Sequence, residues 1–250
     1  MTEANEPTRA QRFMGRLGLG PRVSGPPTSP NGASSLHLDW DVPTSEPLVE
    51  VAATIVLPRA PEVDDLYFWA LQASFADGSG AHLGLQWGAG APDRMRHVNW
   101  GGYAGHGGEL DGSTSPLPSS FGNPNTRDFD WRDDQPHRLR ITRDTDGWSG
   151  WVDDTKVRTL RAPGDRLHSP VMWSEVFADC DAPPVSVRWS DLEVVTASGQ
   201  HVAVRSVRVN YQTRADGGCD NTTSSVDGVA FVQSTNSPRI TPQDARLSLG

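Results

Sequence analysis

From residue 36 onward the chain alternates. Leu36, Leu38 and Trp40 are separated by His37 and Asp39. This two-residue period turns one side of a strand toward a core and the other toward water. LVEVAATIVL (48–57) is β-branched and ends at Pro58 and Pro61. LYFWALQASF (66–75) is apolar on both faces apart from Gln72 and Ser74, which predicts a central strand. Asp77-Gly78 supplies a turn, and AHLGLQW (81–87) and RMRHVNW (94–100) predict two more strands joined by a Gly- and Pro-containing loop.

Residues 101–135 break this rhythm with a long Gly-, Ser- and Asp-rich stretch. Structureless segments of that length are uncommon inside domains, and when ordered they are often functional. Strands resume at HRLRITR (137–143), 148–152 and 156–161, then at VMWSEVF (171–177), VSVRWSDLEVV (185–195), HVAVRSVRVNY (201–211), 229–233 and 245–249. About twelve short strands with turn signals between them, and no sustained helical period, predict an all-β fold. Its expected form is a two-sheet antiparallel β-sandwich of the jelly-roll kind. No fixed-length repeat supports a propeller. Residues 1–34, rich in Pro, Gly, Ser and Arg, read as a disordered arm ahead of a single domain over 35–250.

Composition narrows the partners. A formal charge of −9 over 250 residues argues against nucleic acid or an anionic membrane. Lys156 is the only lysine, an Arg bias that points to a GC-rich, bacterial coding sequence. No apolar run is long enough for a membrane span or a secretory signal, so the expected address is cytoplasmic, or secreted if the sequence has been trimmed. On that expectation Cys180 and Cys219 are two free thiols, although they would pair in an oxidising compartment.

The Gly-flanked strand 81–87, the strand-turn-strand HRLRITRDTDGWSGWVDD and the late strand VSVRWSDLEVV resemble the concanavalin A-like lectin and glucanase superfamily. The resemblance is one of strand rhythm, over roughly residues 35–249. It implies a jelly roll that binds or cleaves glycans. The E-x-D-x-x-E strand of the retaining glucanases, which sets alternate carboxylates on one face, is absent. Glu109-Leu110-Asp111 begins the pattern, but Gly112-Ser113-Thr114 follows it.

The candidate site follows from strand faces. In 94–100 one face carries Met95, His97 and Asn99, and the other carries Arg94, Arg96, Val98 and Trp100. Across a hairpin, His82, Gly84 and Gln86 share a face that Gln72 extends. Amides and imidazoles beside aromatic rings are the groups a sugar site uses. Ordinary solvent-facing polar positions of an antiparallel sheet would give the same pattern. The candidate ligand-binding residues are Gln72, Gln86, His97, Asn99, Trp100, Tyr103 and Trp173. Trp40, Trp69 and Trp189 belong to the core, whereas Trp87, Trp100 and Trp131 are candidates for exposed stacking faces.

The first functional expectation is a lectin-like binding module for a carbohydrate or other polyhydroxylated small molecule. Its cleft would form between a sheet face and the 101–135 loop. An enzyme in the same cleft, with Glu175, His97 and Asp111 as proton-transfer groups, is the alternative. An interaction protein that docks through its arm is a third reading. No cofactor or metal motif is present. Asp128, Asp130, Asp133 and Asp134 form an acidic cluster of the kind that can supply calcium oxygens, though a solvated loop accounts for it too.

Overall fold

A computed structural model describes residues 9–16, 22–88 and 95–250. The expected loop after Trp87, and Arg94 with it, lie outside the described residues. So do most of residues 1–21. A two-turn helix, α1 (Arg9–Arg16), precedes the body. β1 (Ser34–Trp40), β2 (Leu48–Val56), β3 (Tyr67–Phe75), β4 (Gly80–Trp87) and β5 (Arg96–Tyr103) come next. β6 (Ser119–Ser120), β7 (Asn123–Asp128), β8 (His137–Asp144), β9 (Gly147–Val152) and β10 (Thr155–Leu160) follow. The last are β11 (Leu167–Val176), β12 (Val185–Thr196), β13 (His201–Ala203), β14 (Ser206–Tyr211), β15 (Thr223–Asp227), β16 (Ala230–Thr235) and β17 (Arg246–Ser248). No described helix is long and apolar enough to cross a membrane.

Every named strand pairing is antiparallel. One sheet runs β17-β14-β1-β11-β3-β4-β5-β7-β6. The second runs β15-β16-β12-β2-β8-β9-β10, with β13 beside the other end of β12. A single pairing, Leu167 with Leu48, links the two at a corner. This is the expected all-β sandwich.

Alternation drives it. In β1, Leu36, Leu38 and Trp40 are buried while Ser35, His37 and Asp39 are half-buried on the outer side. In β3, Tyr67, Trp69, Leu71, Ala73 and Phe75 enter the layer between the sheets. Trp69, Trp100, Trp131, Trp148 and Trp189 fill that layer completely enclosed. Gly150 on β9 explains how Trp100 fits: a Cβ there would stand 2.7 Å from the indole. Burying such rings supplies much of the drive to close the sandwich.

Four expectations are corrected. Trp100 and Trp131 have no exposed face. In β5 the parity puts Trp100 with Val98 on the core side, so the end of a strand is not the edge of the core. The 101–135 segment is not structureless, because it contains β6 and β7 and a bridge between Tyr103 and Glu109. Cys180 and Cys219 form a disulfide, not two free thiols.

The fourth correction concerns residues 22–33, assigned above to the arm. They are laid against the body around that disulfide. Cys180 N–H donates to Gly25 O and Thr28 N–H to Gly217 O, while Cys219 N–H donates to Ser34 Oγ. A Cβ on Gly217 would fall 2.1 Å from Ser29 N, so glycine is what allows the approach.

Candidate functional site

The outer face of the first sheet holds the site. Its register aligns rows of side chains across β1, β11, β3, β4 and β5. Ser35, Glu175, Phe68, Gln86 and His97 make one row. His37, Trp173, Ala70, Gly84 and Asn99 make the next, and Asp39, Val171, Gln72, His82 and Gly101 the third. Ala70 and Gly84 are the small members of the middle row. The hollow they leave becomes a cleft of about 380 Å³ whose lining includes His37, Gln72, His82, Tyr103 and Glu175.

An aromatic floor organises it. Phe68 and Trp173 meet edge to face with ring centroids 4.8 Å apart, and His82 lies 5.5 Å from Phe68 and 5.7 Å from Trp173. Trp173 Nε1–H donates to Gln72 Oε1 at 3.0 Å. That bond assigns the carboxamide, leaving the Gln72 NH2 group on the cleft side. Trp173 is only 6% exposed, so it serves as floor more than as a stacking platform. Tyr103, 58% exposed, offers the open aromatic face.

A chain of hydroxyl and amide contacts supports the far wall. Asn99 Nδ2–H donates to Thr126 Oγ1 at 2.9 Å, and Thr126 Oγ1–H donates to Gln86 Oε1 at 3.4 Å. Both imidazoles of the cleft are held neutral. Desolvation lowers His82 to about 4, with Asn99 opposing, and lowers His37 against the pull of Asp39.

Glu175 is the carboxyl of the lining. Burial pushes its pKa above the ordinary carboxylate range, while hydrogen bonds from Asn31 and Ser35 draw it back. Asn31 Nδ2–H donates to Glu175 Oε1 at 2.7 Å. Asn31 is held for this by Ser29, whose Oγ–H lies 2.8 Å from Asn31 Oδ1. No arginine or lysine is among the lining residues.

The sequence-selected residues therefore divide. Gln72, Gln86, Asn99, Tyr103, Trp173 and Glu175 come together in one cleft. Trp100 faces the opposite side of its sheet, in the core. His97 shares the row of Glu175 but is covered. Its Nδ1 is 3.2 Å from Ser120 Oγ and 3.7 Å from Asp128 Oδ1, and its ring packs on Phe121. Asp111 pairs with Arg161 outside the cleft.

The three proposed proton-transfer groups thus do not converge. Glu175 and His97 stand three strand spacings apart, roughly 14 Å. Asn31, Ser35, His37, Phe68 and Phe177 are cleft residues that sequence reasoning missed. For His37 the signal was present, as a polar position between Leu36 and Leu38. Asn31 carried none, because it precedes the first periodic strand.

Among the described residues no group of three His, Cys, Asp or Glu side chains is placed to hold a metal ion. The acidic cluster is spread over other contacts. Asp128 lies beside His97, Asp130 near Arg132, and Asp133 on Arg96 and the Ala60 N–H.

Fold and cleft define an antiparallel β-sandwich whose polar trough lies on the outer face of one sheet. Among solved structures this sandwich is similar to Scytalido-glutamic peptidase with a peptide-based transition state analog. The TM-score is 0.51 at 13% identity, over 81% of this chain and 98% of that one. SCP-B, a member of the eqolisin family of peptidases in complex with the tripeptide Ala-Ile-His, scores 0.48 at 12% identity, over 85% and 99% of the chains. The kappa-carrageenase of Pseudoalteromonas carrageenovora, in complex with an oligotetrasaccharide of kappa-carrageenan, scores 0.35 at 11% identity, over 85% and 82%. At these identities the likeness is one of fold. No family model and no curated protein matches the chain.

Proposed function

We propose that the chain is a binding module for a polyhydroxylated ligand of the carbohydrate class, held in the cleft over β1, β11, β3, β4 and β5. One observation carries this reading: the lining combines carboxamides and neutral imidazoles over an aromatic floor, without a cation. Amides both donate and accept hydrogen bonds, which suits hydroxyl groups that do the same. A lining without Arg or Lys suits neither phosphates nor carboxylates.

An array of neutral oligosaccharides tests the proposal. Tyr103→Ala and Gln72→Ala should each weaken the best binder about tenfold, and Tyr103→Ala should leave the melting temperature unchanged. Silence of the wild-type protein across the array would refute it.

A second reading is a hydrolase, favoured by Glu175, whose half-buried carboxyl has the raised pKa of a general acid or base. Similarity in fold to a glutamic peptidase is consistent with that chemistry. Against it stands the register. Gln72, the amide best placed to donate into the cleft, lies four residues along the strand from the row of Glu175, roughly 13 Å. No second carboxyl lines the cleft to complete a glycosidase pair. Glu175→Gln separates the readings. A hydrolase should lose about a hundredfold or more in turnover of a peptide or oligosaccharide library, whereas a binding module shows no turnover to lose.

A further inference from the structure

Glu175 poses a problem for a cleft that is otherwise neutral. A carboxylate removed from water needs a cation or several donors to offset the desolvation. Here it has two neutral partners, the Asn31 amide and the Ser35 hydroxyl. No ion pair involving it is found among the described residues. Aromatic rings crowd it: Phe68 stands directly opposite on β3, Trp173 is two residues back on its own strand, and Phe177 two residues on. A carboxylate without an ionic partner, set in an apolar lining, favours a small organic cation that can donate a charge-assisted hydrogen bond to it.

We propose that the Glu175 end of the cleft recognises a primary ammonium group on the ligand, so that the preferred ligand is an amino sugar chain and not a fully neutral glycan. The proposal rests on the carbohydrate reading and narrows it. The far end, with Gln72, His82 and Tyr103, takes hydroxyls, and the Glu175 end takes the amine. The ligand is thereby given a direction along the cleft.

The pH dependence follows. The groups nearest Glu175 are Ser35 and His37 from β1, Phe68 from β3, Gln86 from β4 and Asn31 from the 22–33 segment, with Asp39 and His82 two rows further along. Asp39 is paired with Arg208 at 3.7 Å, and both imidazoles are held neutral, so Glu175 is the group whose charge sets the preference. Its preference for the amine should appear as the carboxyl ionises and vanish below that pH.

Calorimetric titration of the full chain with three tetrasaccharides tests this: a glucosamine oligomer, its N-acetylated counterpart and a glucose oligomer. The glucosamine oligomer should bind about tenfold more tightly than the other two at pH 7. Glu175→Gln should remove that preference, so that the glucosamine oligomer binds no more tightly than the other two. If the variant fails to fold, Glu175→Ala provides the same comparison at the same pH, since it too removes the carboxyl.

Equal affinity for all three would overturn the ammonium proposal and leave the carbohydrate reading standing. Binding of none would overturn both. A free-amine pentapeptide that binds where every glucosamine oligomer fails would overturn the amino sugar in favour of a peptide.

Discussion

Replacing Trp100 with alanine separates a core role from a ligand role. The ring is fully buried, and on the opposite sheet it lies against Gly150, where a Cβ would be only 2.7 Å from the indole. No side chain on that strand position can fold inward to fill the space the indole vacates. Removing an enclosed indole from such a layer costs about 3–5 kcal/mol, the lost transfer energy plus the cavity left behind. For a domain of this size that is a fall in melting temperature of roughly 10 °C. Urea unfolding followed by tryptophan fluorescence and by far-UV circular dichroism would measure it. Tyr103→Ala is the control, because a side chain 58% exposed should change stability by no more than about 0.5 kcal/mol. Gly150→Ala adds a check from the other side, since overpacking against the same ring should cost about 1–3 kcal/mol. If Trp100→Ala left stability within about 0.5 kcal/mol of wild type yet weakened a ligand, the ring would be facing the cleft and the described parity of β5 would be wrong.

Other consequences are measurable on the same protein. Unfolded protein prepared from its natural compartment without reductant should titrate no thiols, and reduction should cost about 4 kcal/mol by loop-closure entropy over the 39-residue separation; two thiols per chain would contradict the disulfide. Because the Glu175 carboxyl is raised, the native state binds its proton more tightly than the unfolded chain, so stability is greatest below the ordinary carboxylate range and declines as pH rises through the raised value. Glu175→Gln should therefore gain on wild type at pH 7 and show no gain near about pH 3 in denaturant titrations. His82 acts oppositely. Lowered to about 4, it contributes stability present above the ordinary histidine range and lost as pH falls from about 6.5 toward 4, and His82→Gln should flatten that acid limb.

How much of this was legible before the structure depends on the kind of signal. Strand alternation identified the sandwich, because Leu36, Leu38 and Trp40 can be buried together in only one way. The same parity rule put Gln86, Asn99 and Gln72 on one face, so much of the cleft could be read from three neighbouring strands. Trp100 failed for a different reason. Its parity placed it away from Asn99, but its position next to Gly101 and Gly102 suggested exposure, and exposure was the weaker argument.

β6, β7 and β15 were missed because their residues are mostly Ser, Asn, Thr and Asp, with Pro124, Arg127 and Val226 as the exceptions. Such stretches form strands through pairing with neighbours, not through intrinsic preference. Asn31 and the disulfide depend on contacts between residues 144 positions apart in one case and 39 apart in the other, with β12, β13 and β14 between the two cysteines in sequence. Local periodicity carries no trace of either.

The rows across β1, β11, β3, β4 and β5 also set a length. Five adjacent strands at about 4.8 Å spacing span roughly 19 Å from the His37 side to Tyr103. A ligand lying across the strands must be that long to touch both ends, about the reach of five or six extended residues or of a tetrasaccharide. A monosaccharide would meet the side chains of one or two strands at a time and leave the others to water. Affinity measured against chain length should climb in steps and then level off where the molecule outgrows the sheet.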